Sequence, residues 1–403
     1  MAASRTFVFL SQVYVPDPAA VGQHIADAAE ELARRGNRVI VYTANRGYDD
    51  PAAVYPSREQ RNGVDVRRIP LSSFGKSSIA VRLVGGMLFV IQAVARSLFD
   101  RGVDSIVVST SPPVATLGAV IIASVHRARL KYWVMDVNPD QIVALGMASQ
   151  ASVPVRVFDW MNRVVLRRAT DIVVLDRLMA RRINRKLDVS HKITTLPPWP
   201  AEEPEAIVPH ADNPFRAAHG LGNRIVVMYS GNHGPSNPLT TILGAARRLQ
   251  DEPRIVFMFI GGGVGKNEVD GAGLSNVLSL PYQPQSELRN SLSAADVHVV
   301  TVGDAIPGIV HPSKVYGAMA VGRPILLIGP AENHVADILA SADIGWHVRH
   351  GDIDGTVRVL REILALAPQQ LTEMGMRARA AIDAGGGRFG ACSRLCDVLE
   401  RGV

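Results

Sequence analysis

A proline, a serine and a lysine stand together where a polar loop runs into a predicted helix, in the segment HPSKVYGAMAVGRPILLIGP at residues 311–330. Pro312, at or near the helix start, has no N–H to leave unpaired. The following backbone N–H groups, the Ser313 hydroxyl and the Lys314 ammonium can converge on an anion at the positive end of the helix. Gly322 is expected to close this helix before an apolar strand. The segment therefore predicts a phosphate site, and the alternative is an ordinary loop-to-helix turn.

Two glycine-rich loops precede this helix in the same half of the chain. The sequences YSGNHGPSN at residues 229–237 and FIGGGVGK at residues 259–266 each follow a predicted strand, so backbone N–H groups can approach a phosphate there. One such loop is a weak signal, but two of them together with the lysine-bearing helix are far more specific. The second loop is not a P-loop, because Lys266 is followed by Asn267, and it also lacks the pattern of a dinucleotide-binding motif.

Three polar side chains occur at the end of a strand predicted for residues 131–136, in the sequence MDVNPD. The carboxyl ends of parallel strands form the ligand-binding rim of a doubly wound sheet. The candidates for recognising a hydroxyl or acting as a general base are therefore Asp136, Asn138 and Asp140. The alternative is loop capping, which is common for Asp and Asn. No second cluster supplies further oxygen ligands, and we therefore expect no metal site.

The segment at residues 79–99 is long and apolar enough to raise the question of a membrane span. Arg82, Gln92 and Arg96 interrupt it, which favours a partly buried amphipathic helix. Further basic residues stand on either side of the segment, at Lys76 and Arg101. A peripheral contact with a membrane surface is therefore the second interpretation.

Length and composition restrict the class of protein. A chain of 403 residues with 47% hydrophobic and 20% charged residues predicts two or three globular domains and excludes general disorder. The net charge of +6 suits an anionic substrate, a membrane surface or nucleic acid without choosing among them. Cys392 and Cys396 are expected to be reduced thiols of a cytoplasmic protein. The apolar run in MAASRTFVFLSQ is too short for a signal peptide and predicts a strand.

Strands and helices alternate in both halves of the chain. In the first half, a strand at residues 5–10, a helix ending at Gly36 and a strand at residues 38–43 form the parallel crossover unit of a doubly wound sheet. Gly22 lies before that helix and can let backbone approach a ligand, or it can belong to a helix cap. A second alternating half follows the prolines of residues 197–214, which permit neither helix nor strand.

The motifs resemble, in their order, those of glycosyltransferase family 4. The shared features are YSGN, GGG with a following lysine, LPYQPQSELRNSLSAADVHVV, and PSK-x-Y followed by GRP. In the first half, AVGQHIADAAEELARRGNRVIVYTAN resembles the ligand loop and first helix of that family. The resemblance covers nearly the whole chain and points to members from polysaccharide and cell-envelope pathways.

This resemblance implies a GT-B fold of the α/β class, with two doubly wound Rossmann-like domains facing across a cleft. Residues 1–200 would form the acceptor-side domain and residues 215–385 the donor domain. Residues 386–403 look like the terminal helix that packs back on the first domain.

The resemblance also assigns roles to individual residues of the donor domain. Gly231 and Asn232 would lie beside the diphosphate of a nucleotide sugar, and Lys266 and Lys314 would neutralise it. Ser313 would donate a hydrogen bond to the diphosphate. The resemblance also places Tyr282 and Gln283 near the base. Further donor-binding candidates are Gly22 in the first half of the chain and His233, Gly262, His311, Glu332 and Asn333 in the second half.

The chain departs from the family pattern at several positions. Many members carry an arginine and a lysine in the first glycine loop, where this chain has Asn232 and Asn237. Two glutamates eight residues apart would fall near Ile309 and at Gly317, and a histidine before the strand-end aspartate is replaced by Met135. Sugar recognition must then use other groups, for which Ser313, Glu332 and Asn333 are candidates.

The expected activity is transfer of a sugar from a nucleotide-diphosphate sugar to an acceptor. Fixed cations stabilise the charge that grows on the departing nucleoside diphosphate, and Lys314 and Lys266 supply such cations without a metal or another cofactor. Asp136 completes the set of catalytic candidates, and the family resemblance implies retention of configuration. Two alternatives remain: a sugar-nucleotide epimerase of the GT-B fold, and a catalytically silent nucleotide-sugar-binding protein. Nucleic acid is not expected as a partner.

Overall fold

A computed structural model describes residues 4–17, 19–47, 52–74, 79–200 and 207–403, with backbone alone for residues 79, 80 and 82. The chain divides into two compact units, one formed by Met1–Pro198 with Phe389–Val403 and the other by Trp199–Arg388. The division falls inside the proline-rich stretch at 197–214, of which residues 201–206 lie outside the described residues.

The first unit contains an eight-stranded sheet. Its strands are β1 (Thr6–Leu10), β2 (Arg38–Ala44), β3 (Arg58–Arg61), β4 (Val64–Ile69), β5 (Ser105–Ser109), β6 (Arg129–Trp133), β7 (Asp171–Val174) and β8 (Ile193–Thr195). They lie in the order β3-β4-β2-β1-β5-β6-β7-β8, and neighbours are parallel except for the antiparallel pair β3 and β4. The chain leaves β1 in one direction and returns to its other side at β5, which is typical of a doubly wound sheet.

The helices of this unit cover the faces of the sheet. They are α1 (Ala20–Arg34), α2 (Ile79–Ser97), α3 (Ala115–His126), α4 (Asp140–Ala144), α5 (Val153–Arg168) and α6 (Arg177–Lys186). In α2, Phe89 and Ala93 are buried whereas Met87 and Ile91 are exposed, which agrees with a partly buried amphipathic helix. Among the described helices, none is long and apolar enough to cross a membrane. Lys76 lies outside the described residues, as does the side chain of Arg82.

Two features of the first sheet differ from the sequence-based expectation. The charged edge strand β3 and its neighbour β4 were not expected, because REQR and VDVRRI lack a continuous apolar run. Tertiary contacts hold them, since Arg58 on β3 forms a bidentate ion pair with Asp65 on β4 at 2.9 Å. The strand predicted for residues 131–136 ends earlier, at Trp133, and the backbone N–H of Asp136 instead donates to Thr110 Oγ1 at 3.1 Å.

The second unit contains a six-stranded parallel sheet. Its strands are β9 (Ile225–Ser230), β10 (Ile255–Ile260), β11 (Val277–Leu280), β12 (Val297–Thr301), β13 (Ile325–Ile328) and β14 (Gly345–Val348). The order β11-β10-β9-β12-β13-β14 is that of a Rossmann fold. Val227 and Phe257 pack on one face of the sheet, and Val226 and Val256 pack on the other. These strands are near-continuous apolar runs because both of their faces are buried.

The helices of the second unit connect these strands and complete its core. They are α7 (Pro214–Ala218), α8 (Thr240–Arg248), α9 (Lys266–Asp270), α10 (Leu288–Ser293), α11 (Lys314–Ala320), α12 (His334–Ser341), α13 (Ile353–Ala365) and α14 (Pro368–Ala384). As predicted, Gly322 follows the end of α11 in the left-handed region, with φ of 62°.

The last helix, α15 (Gly387–Leu399), packs against the first unit. Arg35 at the end of α1 donates to Asp397 at 2.7 Å and to Glu400 at 2.8 Å. Cys392 and Cys396 are buried on this helix as free thiols.

Candidate functional site

The carboxyl edge of the second sheet has the geometry of a ligand site. The neighbouring strands β9 and β12 flank the point where the strand order reverses, and in open α/β sheets ligands bind outside the strand ends at this point. The loop after β9 begins at Gly231, and the long loop after β12 leads to Lys314, the first residue of α11. The first glycine loop and the PSK segment are therefore neighbours on either side of this point.

Lys314 is a charged residue of this edge. Its side chain crosses Gly231 so closely that a Cβ on that glycine would lie 2.5 Å from Lys314 Cε. The ammonium lies 5.2 Å from the centroid of the Tyr229 ring, within the range of a cation–π contact. Gly231 has φ of 132°, a conformation that favours glycine. Because Gly231 has no side chain, the side chain of Lys314 has room to cross the loop.

The buried environment of Lys314 disfavours the charged form of its side chain. Burial lowers the pKa of Lys314 from 10.5 to about 8, because the ammonium loses part of its hydration. An anion placed beside the ammonium would restore favourable interactions and raise that pKa again. The site is therefore electrostatically suited to a phosphate.

The two glycine loops interlock with each other. His233 N donates to Gly262 O at 2.7 Å, and Gly265 N donates to His233 O at 2.8 Å. A Cβ on Gly261 would lie 2.0 Å from Gly231 O, and one on Gly263 would lie 2.4 Å from Asn232 Oδ1. In the structure the glycines thus allow the loops to approach, which sequence spacing alone does not indicate.

The hydroxyl of Tyr229 holds the first glycine loop in place. It donates a hydrogen bond to the backbone oxygen of Asn232 at 2.6 Å. The imidazole of His233 is fully buried, with its ring centroid 5.1 Å from that of Tyr229. Neither of its ring nitrogens makes a hydrogen bond of good geometry to the described residues, although the oxygens of Gly231 and Gly262 lie near them. Burial lowers the pKa of His233, so the neutral ring is favoured.

Lys266 has partners of its own at the start of α9. Its Nζ donates to Ser279 Oγ at 2.6 Å and to Leu280 O at 3.2 Å, and it lies 3.6 Å from Asp270 Oδ1. Its charge is thus partly compensated by β11 and α9, in contrast to that of Lys314.

Tyr282 and Gln283 follow β11 at the same edge of the sheet. The Tyr282 ring lies over the second glycine loop, where a Cβ on Gly262 would stand 3.1 Å from Tyr282 Cε2. Tyr282 is 58% exposed. Gln283 Nε2 donates to Pro281 O at 2.9 Å.

A chain of three aromatic residues links the loop after β12 to α12. His311 Nε2 and His334 Nε2 each lie 2.8 Å from the hydroxyl of Tyr316. Because one hydroxyl has one proton, Tyr316 can donate to one ring and must accept from the other. The arrangement ties α11 and the start of α12 to the loop that carries His311.

The remaining donor-side candidates occupy helix starts. Asn333 caps α12, because its Oδ1 accepts from Val335 N and Ala336 N at 2.8 and 3.1 Å. Its Nδ2 also donates to Pro330 O, so the side-chain amide stabilises the turn before α12. Ser313 is exposed before α11 and makes no side-chain capping bond there, and Glu332 is exposed before α12.

Asp136 is an acid of the first unit whose pKa is raised. Burial raises the pKa of its carboxyl from 3.8 to about 6, because the charged form loses hydration. A carboxyl that titrates near neutral pH at the edge of a doubly wound sheet can accept a proton from a hydroxyl.

The other candidates of the first unit have structural contacts. Asp140 begins α4 and forms ion pairs with Arg182 and Lys186. The backbone oxygen of Asn138 accepts from Asn162 Nδ2. The expected position of Gly22 before the helix is wrong, because α1 begins at Ala20 and Gly22 lies in its first turn. Gly22 packs on the preceding loop, where a Cβ would stand 3.1 Å from Tyr14 Cα.

Among the described residues, no group of three or more His, Cys, Asp or Glu side chains is arranged to hold a metal ion. Sequence reasoning did not single out Tyr229 or His334 as contributors to the site. The position of Tyr229 one residue before the end of β9 was an available signal. The role of His334 depends on contacts between elements far apart in sequence.

Comparison with known proteins defines the class. Residues 19–199 match the family model described as a glycosyl transferase 4-like domain. The chain is 25% identical over 337 residues to the probable glycosyltransferase WbjE of Pseudomonas aeruginosa, covering 82% of each chain. It is 24% identical over 373 residues to the putative colanic acid biosynthesis glycosyl transferase WcaI of Escherichia coli K12, covering 88% of this chain and 90% of that one.

A solved structure has the same fold. The structure of Anabaena Alr3699/HepE in complex with UDP and glucose superposes with a TM-score of 0.69 at 14% identity, covering 98% of this chain and 99% of that one. The two Rossmann-like units therefore have the GT-B fold, and the protein is a glycosyltransferase. Within this class, residues 19–199 are similar to the glycosyl transferase 4-like domain.

Proposed function

We propose that this enzyme transfers a sugar from a nucleoside-diphosphate sugar to an acceptor in the synthesis of a polysaccharide or glycolipid. The observation that carries the proposal is the ammonium of Lys314, held across Gly231 at the switch point of the second sheet. The HepE complex supports the choice of donor, because that relative of the same fold binds UDP and glucose. The name of WcaI, which refers to colanic acid biosynthesis, supports the class of product.

The chemistry of the donor side follows from charge. When the bond between the sugar and the diphosphate breaks, its electron pair stays with the diphosphate oxygen, and the leaving group gains negative charge. Lys314 stabilises this charge more in the transition state than in the ground state, which raises turnover. Lys266 would add a more distant positive charge, and the Ser313 hydroxyl would donate to a phosphate oxygen. We propose that the reaction proceeds in this way with retention and without a metal ion.

The acceptor hydroxyl must lose a proton when it bonds to the sugar. We assign this proton to Asp136, whose pKa of about 6 leaves it largely ionised at neutral pH yet still basic. Asn138 and Asp140 would contribute to the acceptor side through the shape of their loop, since Asp140 is held by Arg182 and Lys186.

We further propose that the enzyme works in the cytoplasm at the inner face of a membrane, on a lipid-linked or membrane-proximal acceptor. Its net charge of +6 and the exposed apolar residues of α2 favour contact with an anionic surface.

Incubation with labelled nucleotide sugars and a membrane extract tests the proposed activity. Transfer of label to a lipid or polysaccharide fraction, with release of one nucleoside diphosphate per sugar, is the expected result. Recovery of an epimer would instead identify an epimerase, and binding without turnover would identify a silent binding protein. A thermal-shift screen selects the donor beforehand, because a ligand at a hundred times its dissociation constant stabilises by about 2.7 kcal/mol.

A further inference from the structure

The first unit has an arginine-lined cavity that contains none of the donor or acceptor candidates. The cavity has a volume of about 790 Å³ and lies between β2, β4 and the end of α2. Its lining includes six arginines, which are Arg38, Arg58, Arg67, Arg68, Arg96 and Arg101. Asp100 is the acidic residue of the lining.

Three of these arginines are neutralised within the wall of the cavity. Arg67 bonds Asp100 at 2.6 Å and Asp65 at 2.8 Å, and the hydroxyl of Tyr42 donates to Asp100 at 2.8 Å. Arg58 shares Asp65 with Arg67. Arg68 pairs with Glu59 at 2.7 Å. These contacts make a rigid, charge-balanced floor.

The other three arginines form an uncompensated rim. Arg38 donates to the backbone oxygen of Arg101 at 3.4 Å, and Arg96 donates to that of Arg68 at 3.3 Å. None of Arg38, Arg96 and Arg101 has an ion pair with a carboxylate in the described parts of the chain. Like charges held around one cavity repel each other, and a bound anion would remove that cost.

Large apolar side chains are exposed beside the rim. Phe99, between Arg96 and Arg101, is 86% exposed and lines the cavity itself. Leu98 and Ile91 on the same segment and Leu71 after β4 are exposed as well. Guanidinium groups next to apolar side chains match a membrane interface, where phosphates lie directly above hydrocarbon.

We propose that this cavity binds the phosphate group of an anionic lipid, with Arg38, Arg96 and Arg101 on the phosphate and Phe99 inserted beside it. The choice of a lipid rests on the membrane-proximal acceptor proposed above, whereas the anion site itself rests only on the cavity. It would hold the first unit at the membrane surface independently of donor binding.

Co-sedimentation with vesicles of phosphatidylcholine containing one-third phosphatidylglycerol tests the proposal, with no nucleotide present. The variant Arg96→Gln/Arg101→Gln should weaken partitioning about 25-fold, since one basic residue near such a surface contributes about fivefold. The control Arg185→Gln/Arg358→Gln removes the same two charges from exposed positions on α6 and α13 and should change partitioning less than twofold. Phe99→Ser should also weaken partitioning.

Soluble glycerol phosphate distinguishes the source of the phosphate. At millimolar concentration it should leave vesicle partitioning unchanged, because it lacks the apolar part of the ligand. Equal losses in the two double variants, or competition by glycerol phosphate, would overturn the proposal. Circular dichroism and thermal unfolding confirm that each variant is folded, and the single variant Arg101→Gln, with an expected fivefold loss, replaces the double variant if that one is unstable. Because donor binding is absent from the experiment, its failure would leave the proposed transfer reaction standing.

Discussion

The side chain of Lys314 passes over the α-carbon of Gly231 so closely that a methyl group there would lie 2.5 Å from Lys314 Cε. These residues are 83 positions apart in sequence, yet each constrains the other. The glycine sets where the ammonium can lie, and the ammonium lies 5.2 Å from the ring centroid of Tyr229 beneath it. The proposed donor chemistry depends on this pairing.

Gly231→Ala should therefore act through Lys314. The added methyl group displaces the lysine, and the loss of a charge-assisted contact of about 1.5–3 kcal/mol should weaken UDP binding roughly tenfold to a hundredfold. Isothermal titration calorimetry with UDP measures this effect.

Gly220→Ala is the matched control for this substitution. Gly220 also has positive φ, at 57°, but nothing lies within 4 Å of its Cβ position. It should lose about 1–2 kcal/mol of stability from backbone strain and keep its UDP affinity. An unchanged affinity in Gly231→Ala would separate the glycine from the donor site.

The affinity for UDP should fall as the pH rises through about 8. In the proposed donor site the protonated Lys314 binds the diphosphate, and burial lowers its pKa to about 8 in the free enzyme. Titration calorimetry between pH 6.5 and 9.5 measures this fall in UDP affinity. The fall should be absent from Lys314→Arg, because a guanidinium stays charged over this range.

The contribution of Lys314 to folding stability has the opposite sign. Its pKa in the folded state lies below the unfolded value near 10.5, so the unfolded chain binds more protons between about pH 8 and 10.5. This group alone therefore makes the free energy of unfolding increase with pH over that window. Urea unfolding of the wild type and of Lys314→Met at several pH values isolates the contribution of Lys314 to the free energy of unfolding. A parallel pH dependence in both proteins would contradict a lowered pKa of Lys314.

Much of the fold follows from local sequence, because parallel strands buried on both faces are continuous apolar runs. The strands of the second sheet are predictable for this reason, since they pack on both faces. By contrast, β3 and β4 are stabilised by pairs such as Arg58 with Asp65, which depend on two strands coming together. The edge strand REQR gives no periodic apolar signal.

The residues of the candidate site can be read from the sequence in part. The sequence identifies Lys314 and the glycine loops by residue type and spacing. It does not reveal that the glycines interlock the loops, that Lys266 bonds Ser279, or that Tyr316 joins His311 to His334. Those contacts join elements that are distant in sequence, so no local pattern contains them.

Asp136→Asn should abolish the acidic limb of the pH profile of kcat. With a pKa of about 6, the wild-type carboxyl gains its basic form as the pH rises, so turnover should increase through pH 6. Because this pKa lies above the unfolded value of 3.8, the same group makes stability fall between about pH 4 and 6.

Asp140→Asn serves as the comparison for Asp136→Asn. Its carboxyl is held by Arg182 and Lys186, and the variant should keep the limb at pH 6. An identical pH profile in Asp136→Asn and the wild type would exclude Asp136 as the base.

Tyr316→Phe should lower the free energy of unfolding by about 1–3 kcal/mol, because His311 and His334 lose the hydroxyl between them. Equilibrium unfolding in urea measures this change. Tyr282→Phe removes a hydroxyl from a residue that is 58% exposed, and it should cost less stability than Tyr316→Phe because the site is open to solvent. Equal stabilities of the two variants would show that the three-residue chain contributes nothing to the fold.

The most direct test of the donor chemistry is the turnover of Lys314→Ala with the nucleotide sugar chosen by the thermal-shift screen. Loss of one electrostatic donor at the leaving group costs about 2.7–4 kcal/mol, so kcat should fall roughly a hundredfold to a thousandfold, and by more than donor affinity falls. Lys314→Arg should recover only part of the rate, because its planar fork places charge differently. Lys192→Ala, which removes the same charge from the first unit, should retain wild-type turnover. A folded Lys314→Ala enzyme with unchanged kcat would contradict the assignment of Lys314 to the leaving group.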